Sequence, residues 1–218
     1  MLKRLLSKHR TSSPAVRHIC HFEGVIDHLY LDTRGNPTIG VGFHVTCQDA
    51  FTRLSLRDKR TNKPASRTQK QQEYNTLKRL PAGKTARWYA QHCTLHLPHS
   101  ESMRLLEQQI AAFEHELARL ISPKNGYIRA YQQLPDSVQL ALLDLAYNLG
   151  TPNLSSRWPK LLAALKREDW RQAADECARK HVSKARNQAT RQLFIQAASS
   201  DNLIARLFRR LWSKLCRS

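Results

Sequence analysis

The sequence predicts a mostly helical α+β protein, with a small β-hairpin lobe and a larger helical lobe joined by a long helix. Three observations carry this. Residues 29–46, "LYLDTRGNPTIGVGFHVT", alternate in character and are broken by the turn signal "RGNP". Residues 101–121 hold apolar side chains at 103, 106, 110, 113, 117 and 120, a helical spacing. Beyond residue 134 apolar runs recur at helical period and strand signals are lacking. The 218 residues suit one domain or two small lobes, and 41% apolar content suffices for a core.

Taken in order, residues 1–13 read as a basic segment. "TSSPAV" is a helix start, with Ser12 or Ser13 as cap and Pro14 in the first turn, and the helix is expected to reach His28. A sheet of two or three strands spans Leu29 to Thr46. Residues 53–70 carry seven Lys/Arg and one acid and read as an exposed loop; "LPAGKTARWYAQHC" after it is partly helical. The long helix starts at Ser100. In "LPDSVQLALLDLAYNLG", Val138, Ala141, Leu142, Leu145 and Leu149 share a face and Gly150 is a natural stop, so this helix is expected to be buried. Further helices are expected at about 157–167, 168–180, 187–199 and 201–216. The small lobe is placed at about 14–100, the connecting helix at 101–121 and the helical lobe at 122–200, with 201–218 a separate basic amphipathic helix.

Charge narrows the function. Lys and Arg number 36 against 17 Asp and Glu, a formal +19. That predicts attraction to a polyanion: nucleic acid, anionic membrane or bacterial cell wall. Five cysteines, an odd number without a C-x-x-C pair, argue against a disulfide scaffold or zinc finger. They read as reduced thiols. His18 and His21 flank Cys20, but no further ligands complete a site, so no metal is expected. The N-terminus lacks an apolar run suited to a signal peptide. The chain is therefore expected to be made in the cytoplasm and carried to its substrate by another system.

The chemistry concentrates in "FEGVIDHLYLDTRGNPTIGVGFHVT". Four of the seven glycines lie here, with Glu23, Asp32 and Thr38 at fixed spacing. Two carboxylates in unlike environments are the equipment for cutting a glycosidic bond. Glu23, at a helix end beside Phe22, fits a desolvated proton donor. Asp32, on a solvated hairpin, fits the ionised partner, and the Thr38 hydroxyl can hold a water beside it.

The string closely resembles the phage-type lysozymes, to which the T-even phage enzymes belong. Glu23-Gly24, Asp32 nine residues on and Thr38 six further, inside "TIGVG", match that family in type and spacing, as does Tyr30 in "Y-x-D". The connecting helix, the buried helix ending Tyr147-Asn148-Leu149-Gly150 and the segment "WRQAADECARKHVSKARNQATRQLF" are also similar. The resemblance covers roughly 14–46 and 96–197; residues 47–95 look like an insertion. It implies a lysozyme-like two-lobe fold and a muramidase without a cofactor. Glu23 would be the general acid, Asp32 and Thr38 would position the attacking water, and water would attack with inversion in a cleft between the lobes. Gly42, His44, Tyr147, Arg186 and Arg191 are the substrate-binding candidates, Arg186 before Arg191 as the basic partner of Glu23. The family places His directly after "TIGxG"; here Phe43 intervenes before His44.

The expected partners are peptidoglycan strands, without specific nucleic acid, for a monomer acting in the periplasm of a target cell. The settings this suits are a phage endolysin or a secreted antibacterial effector with an immunity or inhibitor protein. In the tail, Leu207, Arg210 and Trp212 mark an amphipathic helix that docks on the helical lobe or touches anionic membrane. The other classes weighed are a lytic transglycosylase, which needs Glu23 but not Asp32, and a non-catalytic wall- or nucleic-acid-binding protein.

Overall fold

A computed structural model describes residues 13–215, and of residues 201–215 the backbone alone. The chain divides into two compact units, Met1–Gln109 and Ile110–Ser218.

The first unit opens with α1, Pro14–Glu23, capped by the Ser13 side chain, which accepts from the Val16 amide at 3.2 Å. This helix stops five residues short of the expected His28. Gly24 takes φ +71°, ψ −178°, and its N–H returns to the Cys20 carbonyl, a conformation essentially reserved for glycine. The sheet follows as expected: β1 (Ile26–Leu31), β2 (Pro37–Gly40) and β3 (Phe43–His44), antiparallel in the order β1-β2-β3. Register pairs Tyr30 with Thr38 and Thr38 with His44. Cross-strand partners share a face, so these three side chains form a row.

Residues 53–70 are mostly exposed, as expected, but are only in part a loop. The segment follows α2 (Gln48–Thr52) and holds β4 (Arg57–Asp58) and the start of α3 (Arg67–Lys78); α4 (Ala86–Tyr89) and β5 (Leu95–His96) come next, β5 pairing with β4. The charged residues concealed a sparse apolar pattern. Leu54, Leu56 and Ala65 are buried with Phe51, Tyr74, Leu77, Tyr89, Leu95 and Leu97 around Leu29, Leu31 and Ile39 of the sheet. A capping box starts α3: Ser66 Oγ accepts from the Gln69 amide while Gln69 Oε1 accepts from the Ser66 amide. Residues 47–95 therefore supply most of the core behind the hairpin.

The long helix is present as α5, His99–Leu120, and the unit boundary falls within it. The second unit continues with α6 (Asp136–Leu149), α7 (Thr151–Arg157), α8 (Pro159–Lys166), α9 (Trp170–Glu176) and α10 (Lys184–Leu215). As expected, α6 is buried, Val138 to Ala146 forming its interior, and Gly150 at φ +77° ends it. It packs against α10, which also packs on α9. The helices expected at 187–199 and 201–216 are one continuous helix, because "SSDN" contains neither Pro nor Gly to break it. The side chains of Leu207, Arg210 and Trp212 lie outside the described ones. Among the described residues no helix is long and apolar enough to cross a membrane.

Midway along α6, Asp144 is fully buried. Arg179 Nη2 donates to its Oδ2 at 2.7 Å, and Arg186 Nε donates to its Oδ1 at 2.9 Å. Thr190 Oγ1 lies 2.7 Å from Asp144 Oδ2 and accepts from Arg179 at 2.7 Å. The network ties α6, α10 and the α9–α10 connection together.

Candidate active site

The turn between β1 and β2 is built around Asp32. Its Oδ1 accepts from the amides of Arg34 and Asn36, both at 2.8 Å, and its Oδ2 accepts from Asn36 Nδ2 at 2.9 Å. Three of roughly four lone-pair positions are thus occupied, leaving one for a further donor. Partial burial pushes the Asp32 carboxyl upward. The Asn36 and Arg34 hydrogen bonds and the charge of His44 outweigh it, so the group sits below the ordinary aspartate value. Asp32 keeps the low pKa expected of it on the hairpin, held there by these hydrogen bonds. Asn36, read from sequence only as a turn residue, is the main anchor. The Asx pattern of an Asp followed by Asn four residues on could have signalled it.

Beside Asp32 lies the row of Tyr30, Thr38 and His44. Thr38 is 2% exposed, and its Oγ1 donates to the Asn36 carbonyl at 3.1 Å. Burial first, and then the charges of Glu23 and Asp32, raise the pKa of the Tyr30 hydroxyl. The Tyr30 ring thus stands within the field of both carboxylates, linking the end of α1 to the hairpin turn. His44 lies opposite Thr38 and its charge acts on Asp32. With Phe43 paired to Ile39 on the other face, the offset after "TIGVG" leaves the histidine beside the carboxylate. Gly42, at φ +69°, completes the β2–β3 turn.

The other candidates belong to the second unit. Arg186 is buried and committed to Asp144, the two groups at 2.8 Å in an ion pair. Arg191 makes an exposed ion pair with Asp175 at 3.1 Å. The half-buried Tyr147 ring packs 5.5 Å from that of Phe113. In the first unit Tyr30, Thr38 and His44 share a row beside Asp32, Gly42 lies in the adjoining turn, and the charge of Glu23 reaches Tyr30; Tyr147, Arg186 and Arg191 are set by the packing of α6 and α10.

Other chemistry-bearing side chains have structural surroundings. His18 and His21 both meet the Phe22 ring edge-on, at 5.1 and 4.7 Å. Among the described residues no group of His, Cys, Asp and Glu is arranged to hold a metal. Burial pushes the Cys93 thiol up to about 12 and Cys177 to about 11, so neither is a nucleophile at neutral pH.

No curated protein sequence matches the chain. Among solved structures, the crystal structure of a point mutant of P22 lysozyme aligns with 86% of this chain and 99% of its own, at TM-score 0.51 and 20% identity. That likeness concerns the fold. The family described as phage lysozyme matches residues 81–194. This match begins after the hairpin and is independent of the Glu23–His44 pattern. Covering more than half of the sequence, it shows that the chain belongs to the phage lysozyme family.

Proposed function

We propose that the protein is a muramidase that hydrolyses the β-1,4 bond between N-acetylmuramic acid and N-acetylglucosamine in peptidoglycan. The observation that carries this reading is the Asp32 turn: a low-pKa carboxylate with one open lone pair, beside buried Thr38 and sharing Tyr30 with Glu23. Family membership supports the reaction class.

In this mechanism Glu23 delivers its proton to the glycosidic oxygen as the bond to the muramic C1 breaks. A water held by Thr38 Oγ1 and the open lone pair of Asp32 attacks C1. Its proton passes to Asp32, whose charge also stabilises the oxocarbenium-like transition state. The fixed hydrogen bonds of Asp32 mean that the carboxylate does not reorient during this step. Attack opposite the leaving group gives inversion. The open edge of the sheet, at β3 with Gly42 and His44, receives the glycan. The enzyme acts on the wall from the periplasmic side of a target cell, delivered as an endolysin or as an antibacterial effector.

Solubilisation of purified peptidoglycan by wild type, Glu23→Gln and Asp32→Asn tests this. Loss of the general acid is expected to cost about 10²–10⁴-fold, with Asp32→Asn comparably impaired. A Glu23→Gln enzyme with wild-type rate would contradict the assignment. Activity retained in Asp32→Asn alone would point to a transglycosylase.

A further inference from the structure

Residues 47–95 hold eleven Lys and Arg against three acids, and each acid is already engaged. Asp49 pairs with Arg67 at 3.0 Å. Asp58 Oδ1 accepts from the amides of Arg60 and Thr61 in its own turn. Glu73 is buried, its Oε2 accepting from the Thr94 and Leu95 amides and the Thr94 hydroxyl. The positive charge of this segment far exceeds what its own acids can balance.

Part of that charge is delivered to the Asp32 turn. The connection after α3, residues 78–84 or "KRLPAGK", lies against it. The Gly83 amide donates to the Asp32 carbonyl at 3.2 Å, and Lys78 Nζ donates to the Gly35 carbonyl at 3.4 Å. A Cβ at Gly35 would stand 3.5 Å from the Ala82 methyl. Arg34 in the hairpin and Arg79 and Lys84 in the connection are exposed, and none of the three makes an ion pair with a described carboxylate. Between Glu73 and Glu101 the sequence contains no acid. The connection on this side of the candidate site is therefore cationic, and one backbone hydrogen bond and one from a Lys side chain hold it against the turn.

Resting on the muramidase reading, we propose that Arg34, Arg79 and Lys84 form a subsite for the carboxylates of the peptide stem carried by the substrate's muramic acid. With the lactyl carboxyl of the muramic acid tied up in the amide to the stem, the N-acetylated sugars at the scissile bond are uncharged. The stem, attached to the lactyl group of the muramic acid, is the nearest source of fixed negative charge. Guanidinium and ammonium groups beside the catalytic turn engage those carboxylates while the neutral glycan occupies the sheet edge. The subsite selects strands that bear stems.

Binding tests this without relying on turnover. In the Glu23→Gln background, the protein is sedimented with intact peptidoglycan and with glycan from which an amidase has removed the stems and whose freed lactyl carboxylates have been capped as neutral amides. The parent should bind the stem-bearing polymer roughly tenfold more tightly, since each exposed ion pair contributes up to about fivefold. Arg79→Gln/Lys84→Gln should abolish that preference, and Arg79→Lys/Lys84→Arg should keep it, with all three sharing the same melting temperature. Equal binding of both polymers by the parent, or equal weakening on both by the Gln variant, would overturn the subsite. Wild-type hydrolysis is measured in parallel. Stem-dependent binding without any hydrolysis would sink the muramidase reading and leave the subsite standing; hydrolysis without stem-dependent binding would do the reverse.

Discussion

Three residues fix the geometry of the Asp32 turn and of the end of α1: Asp32 itself, Asn36 and Gly24. Removing the Asn36 side chain takes one hydrogen bond from Asp32 Oδ2. The Asp32 pKa should then rise toward the ordinary value. Since the mechanism uses ionised Asp32, the acid limb of the kcat/KM profile should move to higher pH in Asn36→Ala. An unmoved limb would show that another group controls it. Gly24→Ala forces a side chain into φ +71°, ψ −178°. It should destabilise by about 1–3 kcal/mol and lower kcat by displacing Glu23, measured by thermal melting and initial rates. The hairpin that carries Asp32 and Thr38 was legible from its turn signal, and the proposed roles of Glu23, Asp32 and Thr38 came from the family resemblance rather than from spacing alone. The Asn36 anchor and the fixed state of Asp32 were not legible, because they depend on turn geometry that "RGNP" only outlines. The offset at Phe43 became interpretable only through the Thr38–His44 register.

At the scale of elements, helices with strong period and clear stops were readable: α5 lies within two residues of expectation, and α6 ends at the expected glycine. In the segment 53–70 the exposure was legible but the core-forming leucines were not, because buried positions are few and separated by Lys and Arg. The long α10 was divided in two by the polar "SSDN", which helices tolerate when no Pro or Gly intervenes. Two buried acids hold these elements. Asp144→Ala would leave Arg179 and Arg186 buried without their carboxylate and should cost about 3–5 kcal/mol, read as a fall in denaturation midpoint. Glu73 has its pKa raised above the ordinary glutamate value by burial, against the hydrogen bonds from Thr94 and Leu95 and the charge of Lys59. A carboxyl raised on folding gives stability that is fully present below its unfolded pKa and lost as pH rises through the folded one. Glu73→Gln should therefore lose less stability than wild type over that rise. A parallel pH dependence in the two proteins would contradict the assignment.

For the whole molecule, the formal charge of +19 favours long-range attraction to a polyanion, such as the wall of the proposed function. Attraction of this kind can raise encounter rates by about 10–10³-fold and is screened beyond roughly 8 Å at physiological salt. Hydrolysis of intact peptidoglycan should accordingly slow several-fold between about 50 mM and about 500 mM salt, whereas cleavage of short uncharged glycans should change little. Composition made this wall-seeking charge visible but could not distinguish wall from nucleic acid; the hairpin carboxylates and the family match favour the wall. The most direct measurement is mass spectrometry of the soluble fragments released from peptidoglycan by the wild-type protein and by Glu23→Gln. Fragments ending in reducing N-acetylmuramic acid, absent from the Glu23→Gln digest, are the expected result. Anhydro-muramic ends, or the same fragments from both proteins, would contradict hydrolysis through Glu23 and Asp32.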